Sequence, residues 1–174
     1  MNNFLDKESP PNEANLIGYL NGMLSTLETL NDGAYTGNTF EFSKIANLQN
    51  EPETSLHAAL RHWKPGLHVI EDFFPELDKT FTEYCQQYAR ATREQIERTA
   101  NVKPDDTIIE KILEATNYGN LKWNFYEALR LLLKESYTVY AVTLKGGGWY
   151  EASYKDYFID CNGAYYFLHF GISD

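Results

Sequence analysis

From Asn12 onward, Leu16, Leu20, Met23, Leu27 and Leu30 recur at spacings of four, three, four and three, which stacks them on one face of a helix. Pro10-Pro11 blocks extension backwards, and Asn31-Asp32-Gly33 ends the helix, Gly33 suiting the left-handed residue that closes many helices. From Ala34 to Asn50 two readings stay open. Thr39-Phe40-Glu41-Phe42-Ser43 alternates as a short strand does, whereas Lys44-Ile45-Ala46-Asn47-Leu48 fits a helical turn. Pro52-Glu53-Thr54-Ser55 followed by Leu56, Ala59, Leu60 and Trp63 predicts a short helix, which Lys64-Pro65-Gly66 breaks. Leu67 to Phe73 reads as a further turn of helix. Pro75 then opens a long helix striped by Leu77, Phe81, Tyr84, Cys85, Tyr88 and Ala91, which turns polar with alternating charge beyond Arg90. Pro104, Asp105 and Asp106 start another, with Ile108, Ile109, Ile112 and Leu113 on its buried face and Asn117-Tyr118-Gly119 as its stop. A Leu-rich helix from about Asn120 to Glu135 is the last.

The period then changes to two. Ser136 to Lys145, Trp149 to Ile159 and Ala164 to Ile172 are rich in Tyr, Val, Phe and Thr, and Gly146-Gly147-Gly148 and Asp160-Cys161-Asn162-Gly163 separate them. Asn162-Gly163 suits a tight type I′ turn, in which both central residues need positive φ. The expected fold is α+β in a single domain over residues 1–174. An N-terminal bundle of about five helices (about 12–135) packs on a C-terminal three-stranded antiparallel meander (about 136–172).

Composition supports one folded domain. The chain has 174 residues, 43% of them hydrophobic and 23% charged, which excludes disorder throughout. Its 15 basic against 25 acidic residues leave a net charge of −10, and 15% are aromatic, with 13 Tyr. An acidic surface argues against direct nucleic-acid binding, which needs a basic face. Met1 to Glu8 has neither a basic n-region nor an apolar run, and no stretch approaches the about eighteen apolar residues of a membrane span. The expectation is a cytoplasmic protein without membrane contact, whose Cys85 and Cys161 are free thiols.

Candidate chemistry is sparse. His57 and His62 lie five apart and point to different helix faces, unlike the four-residue spacing of a zinc-binding helix, so neither metal nor other cofactor is expected. Gly146-Gly147-Gly148 lacks the Lys-Ser/Thr of a phosphate loop and reads as a hairpin loop. Glu71-Asp72-Phe73-Phe74-Pro75-Glu76-Leu77-Asp78 sets four carboxylates around a helix start; they read either as ordinary capping over buried Phe or as charges that steer a cationic partner. Trp149-Tyr150, Tyr157-Phe158 and Tyr165-Tyr166 put one aromatic on each face of a sheet, so some aromatics are left to be exposed or covered by a partner, with Trp149, Tyr150 and Tyr154 as candidate anchors.

In size, acidity, tyrosine content and absence of enzyme motifs, the whole chain resembles bacterial immunity proteins. These neutralise the C-terminal toxins of contact-dependent growth inhibition and related polymorphic toxin systems. The resemblance implies a non-enzymatic, one-to-one binder of a cognate basic toxin, often a nuclease, that covers its active or substrate-binding surface. Glu71, Asp72, Glu76 and Asp78 would then steer the encounter, and Trp149, Tyr150 and Tyr154 anchor it. Two other readings stand beside it: a small hydrolase or nucleic-acid-processing enzyme using His57, His62 or His169 with carboxylates, and an oligomerisation module that pairs through an exposed sheet edge or face.

Overall fold

Asn12 opens the first helix, α1 (Glu13–Asp32), by accepting the Asn15 N–H on its Oδ1 at 2.9 Å, which satisfies one of the donors a helix start leaves free. The computed structural model describes residues 11–32, 37–115, 118–134, 136–146 and 150–173, with backbone only at 32, 85–91, 108, 109, 112, 113 and 115. Leu16, Leu20, Met23 and Leu27 of α1 are buried, as their spacing predicts, and Leu24 joins them. The elements that follow are β1 (Gly37–Ile45), α2 (Pro52–Leu60), β2 (Lys64–Ile70), α3 (Phe73–Ala100), α4 (Asp106–Ala115), α5 (Tyr118–Leu133), β3 (Thr138–Lys145), β4 (Ser153–Cys161) and β5 (Ala164–Ser173). Pro75 sits inside the first turn of α3, where its missing N–H has no intrahelical acceptor to lose.

This architecture corrects the expected one. The fold is α+β, but the sheet has five antiparallel strands in the order β1-β5-β4-β3-β2, not three, and helices and strands interleave along the first half of the chain. Residues 37–45 form a strand along their whole length, and the turn of helix expected from Leu67 to Phe73 is instead the end of β2, a two-residue bend and the start of α3. The reason is long-range pairing. β1 pairs with β5, Phe40 opposite Phe170, and β2 pairs with β3, Leu67 opposite Val142. Local periodicity carries no record of partners so distant in the chain, and β2, half-exposed at the sheet edge, shows no clean alternation. Between β4 and β5, Cys161 pairs with Ala164 across Asn162 (φ 52°) and Gly163 (φ 83°), the two positive-φ residues of a two-residue hairpin. Gly33, Gly147, Gly148 and Trp149, and the side chains of Cys85, Tyr88, Ala91, Ile108, Ile109, Ile112 and Leu113, lie outside the described residues.

Both faces of the sheet are covered. On one, α1, α3 and α5 pack over Phe40, Phe42, Tyr157, Tyr166, Leu168 and Phe170. On the other, Leu56 of the short α2 closes a second cluster with Ile45, Val142, Phe158, Tyr165 and Phe167. The paired aromatics therefore do go one to each face, yet Tyr157, Phe158, Tyr165 and Tyr166 are all buried inside the protein. No helix among the described residues is long and apolar enough to cross a membrane. The Cys161 thiol is free and donates to the Leu133 carbonyl at 3.1 Å; burial raises its pKa.

Candidate functional site

The β3–β4 ladder ends at Val142 opposite Asp156. Beyond that point β3 continues beside β2, and β4 beside β5, so the middle of the sheet opens at one end. The Tyr154 hydroxyl accepts the Leu144 N–H there at 3.2 Å, in place of the missing strand partner. The opening is a cleft of about 300 Å³, lined among others by Val69 and Ile70 of β2, Glu76 of α3, and Tyr154, Lys155 and Asp156 of β4. It brings together Glu76 and Tyr154, one steering charge and one anchor expected from the sequence.

The other expected residues fall differently. Glu76 is held between two ammonium groups, Lys79 Nζ at 3.1 Å and Lys155 Nζ at 4.0 Å. Asp78 accepts from Lys122 Nζ at 2.7 Å and from the Tyr126 hydroxyl at 3.3 Å. Glu71 and Asp72, at the bend between β2 and α3, are exposed and form no ion pair among the described residues. Asp72 occupies the position before α3, but its side chain caps nothing; the backbone bond from Glu76 N–H to Asp72 C=O starts the helix. The segment thus supplies two neutralised carboxylates and two free ones. Phe73 is buried, and Phe74 lies under the Arg130 guanidinium at 4.4 Å.

Tyr150 and Tyr154 are half-buried and turn inward. Tyr150 donates to Asp156 Oδ2 at 3.0 Å, Asp156 Oδ1 accepts from His169 Nδ1 at 2.6 Å, and His169 Nε2 faces Glu151 Oε1 at 4.0 Å. Asp156 and His169 are 3% and 7% exposed, so the cluster is a buried polar network in an otherwise apolar layer. Tyr154 and Trp63 close over it, each edge-on to the Tyr150 ring at 5.0 and 5.4 Å. Burial, and after it the Asp156 carboxylate, push the Tyr150 phenol above its usual range, so it stays a donor. Gly171 makes room for the imidazole: a Cβ there would meet His169 Nε2 at 2.5 Å.

Sequence reasoning missed this cluster as a unit, although a signal for it existed. A two-residue Asn-Gly turn fixes the hairpin register, and Asp156 and His169 are equally far from it on its two sides, hence directly opposite and on one face. Of the histidines named as catalytic candidates, His57 and His62 are exposed, and only His169 meets a carboxylate. His169 is buried and does not line the cleft; its Nε2 stands 4.0 Å from Glu151 Oε1 and beside Gly171. No group of three or more His, Cys, Asp or Glu among the described residues could hold a metal ion. Comparison with known proteins finds no matching family model, no matching curated protein and no matching solved structure.

Proposed function

We propose that this chain is an immunity protein of the contact-dependent growth inhibition or polymorphic toxin type. It acts in the bacterial cytoplasm by binding, not by catalysis, and captures a cognate basic toxin, a nuclease domain, by covering its active or substrate-binding surface. The observation that carries this reading is the placement of charge and aromatic surface on a chain of net charge −10. Glu71 and Asp72, exposed and unneutralised, stand at the bend that follows β2, whose Val69 and Ile70 line the cleft containing Tyr154. Carboxylates of this kind speed encounter with a cationic partner, and a recessed aromatic beside them gives the complex a contact that excludes water. The burial of His169, away from the lining of the cleft, favours this reading over a hydrolase, because a general base must reach its substrate.

Co-expression with the product of the neighbouring gene tests it. The expected result is growth arrest by that product alone, rescue by this chain, and a one-to-one complex on purification. A harmless product, with no basic protein co-purifying, overturns the reading.

A further inference from the structure

At the far end of β4 from the cleft, the start of α1, the end of α5 and the β4–β5 turn meet around a second cavity. Its volume is about 660 Å³, more than twice that of the cleft and within the about 300–1,000 Å³ of sites that take small molecules. The inner wall is apolar. Leu16, Leu132 and Tyr166 are buried there, and Leu131 stands at the mouth, 47% exposed, whereas Leu129 and Leu133 of the same helix are buried.

Polar groups ring the opening. Glu13 is already satisfied: both of its carboxylate oxygens accept from Lys44 Nζ at 2.8 Å, and Oε1 also accepts from the Tyr166 hydroxyl. Those donors, Lys44 first, hold the Glu13 carboxyl below its usual range, so it is ionised and its charge is neutralised within the protein. Asp160, beside the same turn, accepts the Gly163 N–H at 2.9 Å and does not line the cavity. The remaining polar side chains of the rim are donors without acceptors. Lys134, left-handed at the end of α5 (φ 58°), forms no ion pair among the described residues, and the side-chain amides of Asn12 and Asn162 donate to none of them.

An apolar recess ringed by spare donors and one uncompensated cation complements a molecule of the reverse pattern. We propose that this cavity binds an amphipathic carboxylate. Its hydrocarbon body lies against Leu16, Leu132 and Tyr166, and its carboxylate stays at the rim, where Lys134 and the amides of Asn12 and Asn162 are the donors available to it. Burial of the body supplies affinity, and the charge-assisted bonds at the rim select the acid over its neutral analogue. The free thiol of Cys161 lines the same cavity and reports its occupancy. The site is separate from the cleft and does not depend on the toxin reading.

Isothermal titration of the full chain with octanoate, below the concentration at which it forms micelles, tests this. Octanol serves as the body without the charge, and acetate as the charge without the body. The expected result is one octanoate bound per chain, at least about tenfold weaker binding of octanol, and none detectable of acetate. Bound octanoate should also slow alkylation of Cys161 by iodoacetamide, read on the Cys161 peptide by mass spectrometry. Lys134 is exposed, and asparagine tolerates its left-handed backbone, so Lys134→Asn should fold normally. It should weaken octanoate about tenfold and leave octanol unchanged, and Lys134→Arg should keep the native affinity. No saturable binding of octanoate at millimolar concentration, equal affinity for octanoate and octanol, or binding that leaves Cys161 alkylation unchanged overturns the proposal.

Discussion

Asp156 is the acceptor on which the buried polar network depends, and Asp156→Ala should be among the most damaging single changes in the sheet. The substitution removes the acceptor shared by the buried His169 Nδ1–H, now 2.6 Å from an oxygen, and the half-buried Tyr150 hydroxyl, now 3.0 Å from one, and leaves these two groups only each other, 3.3 Å apart. Each group that loses its bond to the carboxylate costs about 1–3 kcal/mol, so the expected loss is about 3 kcal/mol, against a total stability of about 5–15 kcal/mol. For a chain of this length that lowers Tm by about 6–12 °C. Asp156→Asn keeps one acceptor oxygen and should cost about half as much. Asp78, whose pair with Lys122 is half-exposed, serves as the contrast, and Asp78→Asn should stay within about 1 kcal/mol. Urea unfolding followed by far-ultraviolet circular dichroism measures all three. A second check is thermodynamic coupling: Asp156→Ala made in a His169→Phe background should cost at least about 1 kcal/mol less than in the native chain. An Asp156→Ala protein within about 0.5 kcal/mol of native, or an additive double variant, refutes the claim that these side chains act as a unit.

Gly171→Ala should destabilise the protein by about 1–3 kcal/mol in the same assay, because the added methyl meets His169 Nε2 at 2.5 Å and Glu151 Cδ at 3.1 Å, and Asp156 holds the imidazole in place; a neutral result would mean that the imidazole moves freely. Alkaline unfolding should depend on Tyr157, whose phenol is pushed up to about 12 by burial, with Glu76, Glu83 and Asp156 adding to the rise and the Thr80 hydrogen bond opposing it. Since the folded value lies above the ordinary 10.0, the phenol's contribution is complete below pH 10 and is lost as pH rises toward 12. Tyr157→Phe should therefore flatten the fall of stability over that window, and an unchanged alkaline limb would contradict it.

Much of the fold was written locally. The three-four spacing of Leu16, Leu20, Met23 and Leu27 marked α1 and its buried face, and Asn162-Gly163 marked the last hairpin, because helix faces and tight turns are set by residues near one another in the chain. Segments 37–45 and 64–70 were not legible in the same way, since what makes each a strand is a partner far along the chain. The site divides along the same line. Glu76 and Tyr154 were nameable as polar and aromatic candidates, but the sequence held no sign that Glu76 and Asp78 are neutralised by lysines from β4, α3 and α5, or that the parting of β3 and β4 sets Glu76 and Tyr154 in one cleft. Composition and periodicity determined an acidic α+β chain with an apolar stripe on its helices and aromatics on both sides of its strands. Tertiary structure alone decided that those aromatics are spent in two cores and that His169 is buried beside Asp156. Burial, charge pairing and strand order are properties of residues brought together across the chain, and no local pattern encodes them.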